Sequence, residues 1–149
     1  MLVKELMKRN VITISKEATY EEAARVLYDN KLTGVPVVEN DEIIGFISEK
    51  DLFRVLFPFY NSYYKHPEMY TDNEQRESKA NDIRNHDIGR FMKKDVLTVG
   101  PDMPVLSAGA LMLANGIHKM PVVENNKIIG IIDREIIYKA IFKDQIFKK

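Results

Sequence analysis

The chain has 149 residues, with 22 basic and 22 acidic side chains, three histidines and no cysteine. Apolar residues make up 45% and charged residues 30%, the composition of a folded globular domain rather than a disordered chain. Balanced charge gives no global field to hold nucleic acid or an anionic membrane, and the lack of cysteine excludes disulfides, thiolate metal sites and a cysteine nucleophile. The first ten residues, MLVKELMKRN, show no apolar stretch resembling a signal peptide. Val11 to Ile14 is a β-branched run that predicts a strand. Thr19-Tyr-Glu-Glu22 has the spacing of a capping box and opens a helix with Ala23 and Leu27 on one face. Val35 to Val38 and Ile43 to Ile47, parted by Glu39-Asn-Asp-Glu42, predict a β-hairpin, and a last helix starts near Ser48. Residues 58–87 form an insert that opens aromatic (Phe59, Tyr60, Tyr63, Tyr64, Tyr70) and turns polar. At helical spacing Phe53, Phe57, Tyr60 and Tyr64 would line one face, extending the preceding helix or gripping a partner. The same series of elements then returns: a strand over Val96 to Val99, a helix with Ala108 and Met112 on one face and Gly116 past its end, a hairpin about Glu124-Asn-Asn-Lys127, and a helix from Asp133. Lys143, Lys148 and Lys149 make a basic tail, 143–149. No apolar run approaches the ~20 residues of a membrane helix, so a soluble cytoplasmic protein is expected.

The return is an internal repeat. Residues 3–57 align with residues 88–142 at a constant offset of 85, with 16 identities in 55 positions and no gap. Pro36-Val-Val-Glu-Asn40 recurs as Pro121-Val-Val-Glu-Asn125, and Met7-Lys8 as Met92-Lys93. One unit of this size has too little core to stand alone, so a pair covering each other's open sheet faces, with matched clefts at the junction, is expected. The predicted class is α/β (α+β), as two β-α-β-β-α repeats packed by pseudo-twofold symmetry: repeat 1 over 1–57, the insert or linker over 58–87, repeat 2 over 88–142, then the tail.

Two stretches carry a family resemblance. Met7…Val11-Ile-Thr13…Gly34-Val-Pro-Val-Val38…Ile44-Gly-Phe-Ile-Ser48-Glu-Lys-Asp51 resembles a cystathionine-β-synthase (CBS) domain, and Met92 through Ile117-His-Lys-Met-Pro-Val-Val123 to Asp133 is similar to a second one. The resemblance covers about three quarters of the chain and implies a tandem CBS pair, or Bateman module. Such a pair implies a regulatory, non-enzymatic, ligand-sensing protein that binds an adenine nucleotide or adenosyl compound (AMP, ADP, ATP or S-adenosylmethionine) between repeats. It further implies a homodimer and a client protein to be regulated, no obligatory cofactor, and neither nucleic acid nor membrane as partner.

The site residues follow from the same resemblance. Ser48 and Asp51 match the family's Ser/Thr-x-x-Asp, whose carboxylate accepts from ribose hydroxyls, with Ile47 beside them. The second repeat completes that cleft with Leu97 on the adenine, Thr98 next to it in the chain, and His118, Lys119 and Arg134 on the phosphates. Read as residues alone, Ser48 and Asp51 are equally a helix cap, and His118 is equally a strand-edge residue. A second, weaker cleft would combine Ile12, Thr13, Leu32, Thr33 and Asp133. There Ile136 stands in place of the acid, and no cation matches His118 or Lys119, so one site per chain is expected. Other chemistry finds no support: there is no phosphate loop, no G-x-G-x-x-G, no H-E-x-x-H and no histidine spacing for zinc. The rival readings are a ligand-independent dimerisation or protein-interaction module that uses the aromatic insert, and an enzyme acting on the bound nucleotide.

Overall fold

The computed structural model describes residues 1–56 and 73–147. In chain order its elements are α1 (Val3–Leu6), β1 (Ile14–Ser15), α2 (Tyr20–Asp29), β2 (Gly34–Glu39), β3 (Glu42–Ser48), α3 (Glu49–Arg54), α4 (Asn73–Ile83), α5 (Val105–Asn115), β4 (Lys119–Glu124), β5 (Lys127–Asp133) and α6 (Arg134–Ile141). A 3-10 turn at Ile88–Arg90 and a π-helical turn at Phe142–Ile146 complete a mixed α+β chain. The proposed helical continuation through Phe57, Tyr60 and Tyr64, and the lysines at 148 and 149, lie outside the described residues. The polar half of the insert forms α4, an element the sequence pattern does not mark because its apolar residues have no helical period.

The chain divides into two compact units. Unit 2 comprises Thr13–Glu39 and Ile44–Lys94, and unit 1 comprises Met1–Ile12, Asn40–Ile43 and Asp95–Lys149. These units are not the sequence repeats, because each takes its leading segment from the opposite repeat. In unit 1, Val3 donates to the carbonyl of Met103 at 2.8 Å, and Lys8 and Ile131 exchange backbone hydrogen bonds at 2.9 Å. In unit 2 the same bonds recur, from Ile88 to Ala18 at 2.9 Å and between Phe46 and Lys93 at 2.9 and 2.8 Å. Glycine makes this close approach possible. A Cβ on Gly130 would lie 2.6 Å from the Met7 sulfur, and one on Gly45 would lie 2.6 Å from the Met92 sulfur.

Unit 2 pairs β1 parallel to β2, with Ile14 opposite Val37, and the chain passes from β2 to β3 through a two-residue turn that is counted with unit 1. Asn40 and Asp41 take positive φ there, of 53° and 63°, the left-handed geometry that favours asparagine and aspartate in tight hairpins. Ile14, Ala23, Leu27, Val35, Val37, Ile47, Leu52 and Ile88 form the core. Helix α2 starts as its capping box predicts: Thr19 Oγ1 accepts from the Glu22 amide and Glu22 reaches back to the Thr19 amide, both at 3.2 Å. Two further amides at that end, of Tyr20 and Glu21, donate to the carbonyls of His86 and Arg84, so the segment after α4 closes the helix start. Tyr20 also donates to the carbonyl of Leu52 at 2.6 Å, and burial pushes its hydroxyl above the ordinary tyrosine value.

Unit 1 repeats the plan. Helix α5 ends at Gly116, whose φ of 62° is the left-handed cap expected there. Strands β4 and β5 are antiparallel with Lys119 opposite Asp133, and the Asn125-Asn126 turn repeats the positive φ of its counterpart. Val3, Met7, Val105, Ala108, Met112, Met120, Val122, Ile132 and Ile137 fill the core. The strands predicted at 11–14 and 96–99 are shorter in fact. The first survives as Ile14–Ser15, and the second as a single bridge from Val99 to Val122. The reason is that residue 8 already bonds to Ile131, so the chain reaches its next strand partner only several residues later. Among the described residues no helix is long and apolar enough to cross a membrane, and no acidic, histidine or cysteine cluster could hold a metal ion.

Candidate functional site

Two helix starts carry the polar groups singled out from the sequence, one in each unit. In unit 2 the chain leaves β3 at Ser48 and enters α3. Ser48 Oγ accepts from the Asp51 amide at 3.1 Å, and Asp51 Oδ2 accepts from the Ser48 amide at 3.0 Å and the Ser48 hydroxyl at 2.8 Å. The pair is therefore a complete capping box, which locks the Asp51 rotamer. Its other oxygen, Oδ1, lies 3.8 Å from Arg54, and the side chain is 20% exposed. An acid fixed in this way can still accept from hydroxyl donors, because a carboxylate has about four lone-pair sites. Strand alternation turns the Ile47 side chain fully into the core of unit 2.

In unit 1 the chain leaves β5 at Asp133 and enters α6 at Arg134. Asp133 Oδ1 accepts from the Glu135 amide at 2.7 Å, a helix cap without the returning bond. The Arg134 amide donates to the His118 carbonyl at 2.8 Å, and Arg134 Nη2 donates to His118 Nδ1, also at 2.7 Å. A guanidinium only donates, so in this contact the imidazole nitrogen is the acceptor. Lys119 follows on β4, half-buried and opposite Asp133 across the strand pair. Glu135 pairs with Lys139 at 2.8 Å, and that hydrogen bond and charge hold its carboxyl below the ordinary glutamate value. Both acids that flank Arg134 in sequence are thus engaged elsewhere. Lys119 and Arg134, with His118 beside Arg134, form a cationic end of unit 1 suited to anionic oxygens.

The remaining candidates are placed without a shared contact. Leu97 is 37% exposed and Ile12 is 40% exposed, two large apolar side chains at matching positions of the repeats. Thr13, Thr98 and Leu32 are half-buried, and Leu32 packs against the core of unit 2. Thr33 is exposed, and its carbonyl accepts from the Glu49 amide at 2.9 Å, the unit 2 counterpart of the His118–Arg134 backbone bond. Sequence reasoning missed two partners here, Glu49 and Tyr138. The Arg134 guanidinium lies 5.9 Å from the centre of the Tyr138 ring, and the four-residue spacing along a helix could have found it. A hollow of about 500 Å³ on unit 2, lined by Tyr20, Leu27, Tyr28 and Phe53 among others, includes Glu49 but neither Ser48 nor Asp51, so it is separate from the capping pair.

The family is decided by comparison with known sequences: the CBS domain matches residues 3–58 and again 87–143. The chain belongs to the CBS domain family. CBS domains are typically regulatory. A homoserine O-acetyltransferase from Methanosalsum zhilinae is 31% identical over 141 residues, covering 93% of this CBS chain but 24% of the relative. The chain thus spans about a quarter of the length of that enzyme. The CBS domain pair of protein MJ0100, solved in complex with 5′-methylthioadenosine and S-adenosyl-L-methionine, superposes with a TM-score of 0.73 at 22% identity, covering 97% of this chain and 98% of that one. The structure of CBSX2 in complex with AMP superposes with a TM-score of 0.72 at 23% identity, covering 95% and 96%. At these identities both show the shared fold of a CBS pair.

Proposed function

We propose that this CBS pair is a regulatory ligand-sensing module that binds one adenine nucleotide or adenosyl compound per chain. In this reading ribose hydroxyls donate to the Asp51 carboxylate, phosphate oxygens accept from Arg134, Lys119 and His118, and Leu97 lies against the adenine. One observation carries it: the two helix starts hold side chains of the kinds that a nucleotide needs, a locked carboxylate in unit 2 and a single guanidinium bonded to a histidine in unit 1. The AMP and 5′-methylthioadenosine complexes of neighbouring CBS pairs support the ligand class. Ile12, Thr13, Leu32, Thr33 and Asp133 lack any such cation, so they make no second site of equal strength. Binding regulates a client protein by favouring one conformational state over another, which requires different affinity for the two.

A thermal-shift panel of AMP, ADP, ATP, S-adenosylmethionine and 5′-methylthioadenosine tests the reading. A ligand at about 100 times its dissociation constant stabilises the native state by ~2.7 kcal/mol. The expected outcome is a raised melting temperature with at least one ligand, lost in Asp51→Ala. No shift across the panel, in a folded wild-type chain, contradicts it.

A second reading, association without ligand, is favoured by the outer face of α5. Leu106 and Leu113 are 64% and 63% exposed, Ala110 lies between them, and the helix carries no charge. Such a stripe suits a homodimer contact. Sedimentation of the wild type without ligand checks it: a monomer across the micromolar range rejects that contact.

A further inference from the structure

We propose that Tyr138 is a positioning residue: together with His118 it holds the Arg134 guanidinium in one orientation, and the held guanidinium makes the chain prefer phosphate-bearing adenosine ligands to uncharged ones. The inference rests on the ligand reading above and deepens it.

An exposed arginine has many rotamers, and fixing it on a ligand costs entropy unless the protein has already fixed it. Three contacts fix Arg134 within unit 1. Its amide donates to the His118 carbonyl at 2.8 Å, Nη2 donates to His118 Nδ1 at 2.7 Å, and the guanidinium carbon sits 5.9 Å from the Tyr138 ring centre. The last distance is within the ~6 Å over which a ring attracts a cation. Five N–H donors in a planar fork outnumber the one nitrogen lone pair they meet, so donors remain for an anion. The hydrogen bonds of the flanking acids run elsewhere: Asp133 caps the Glu135 amide and Glu135 pairs with Lys139.

Unit 2 keeps the frame and changes the chemistry. The same backbone bond runs from Glu49 to Thr33 at 2.9 Å, and Phe53 stands where unit 1 has Tyr138. An aromatic ring is thus present at both positions, while the residue four places earlier is Arg134 in unit 1 and Glu49 in unit 2. The ring is the part of Tyr138 that acts on Arg134, since the contact is with its face.

Calorimetric titration of the full chain with AMP and with 5′-methylthioadenosine, in wild type, Tyr138→Leu and Tyr138→Phe, tests the proposal. Tyr138→Leu should weaken AMP about threefold to fivefold, the effect of losing an exposed cation–ring contact, and leave 5′-methylthioadenosine unchanged. Tyr138→Phe keeps the ring and should restore the wild-type ratio of the two affinities. Equal weakening of both ligands in Tyr138→Leu, or none, overturns the proposal. The guanidinium NMR signal of Arg134 in the ligand-free chain separates the two levels of argument. A signal as mobile in the wild type as in Tyr138→Leu overturns the positioning role whatever binds. A wild type that binds neither compound defeats the ligand reading, and the selectivity with it, even if Arg134 is held.

Discussion

The helices that follow the hairpins, α3 in unit 2 and α6 in unit 1, begin with the same backbone and different charged groups. In each, the first residue of the helix donates its amide to the carbonyl of the residue just before the hairpin, at 2.9 Å for Glu49 to Thr33 and 2.8 Å for Arg134 to His118. The cap is serine in unit 2 and aspartate in unit 1, and the third helical residue is Asp51 in one and Ile136 in the other. Duplication therefore preserved what folding requires, a strand that turns into a capped helix, and left free the side chains that folding does not need. The carboxylate stands in one unit and the guanidinium in the other, so the units share a frame and differ in the charged groups it carries.

The glycines are the strongest test of that shared frame. A Cβ at Gly130 would meet the Met7 sulfur at 2.6 Å and the Lys8 carbonyl at 3.1 Å, and one at Gly45 would meet the Met92 sulfur at 2.6 Å and the Lys93 carbonyl at 3.0 Å. Gly130→Ala and Gly45→Ala should each destabilise by about 1–3 kcal/mol, the usual cost of overpacking, read by urea unfolding. A clear loss in one and none in the other would break the equivalence of the units. The caps come next. Ser48→Ala removes the hydroxyl's two bonds, to the Asp51 carboxylate and from the Asp51 amide, and should cost about 1–2 kcal/mol, whereas Asp133→Ala removes a single bond and should cost about 0.5–1 kcal/mol. The reverse order would contradict the geometry. The smallest effect is confined to unit 2, where Tyr20 is partly buried and bonded to Leu52; the matching residue of unit 1 is Val105. Because burial raises its ionisation above the ordinary value, the stability it contributes is complete below that value and is lost as pH climbs through the raised one. Alkaline unfolding should therefore shift upward in Tyr20→Phe, and an unchanged profile would show that Tyr20 does not govern it.

Much of this is legible in the sequence because it is local. Thr19 with Glu22, Gly116, and the Asn40-Asp41 and Asn125-Asn126 turns are short patterns whose physics needs no distant partner. The exchange of leading segments is not legible, since Met7 meets Gly130 and Met92 meets Gly45 only after the chain has folded, and a four-residue helix such as α1 is too short to show a period. At the candidate site, Ser48 and Asp51 were readable both as a cap and as ligand groups, and the structure shows the cap in full. Ile47 is named by the motif, and strand alternation places its side chain in the core. His118 and Arg134 could each be named, but their direct bond depends on the backbone bridge between β4 and α6.

The most direct measurement of the central claim is the stoichiometry of AMP binding to the full chain by calorimetry, repeated in Arg134→Gln. If ligand chemistry is divided between the units as argued, one AMP binds per chain, and Arg134→Gln weakens that one event without revealing another. Two equivalent AMP molecules per chain, or an affinity indifferent to Arg134→Gln, would contradict it.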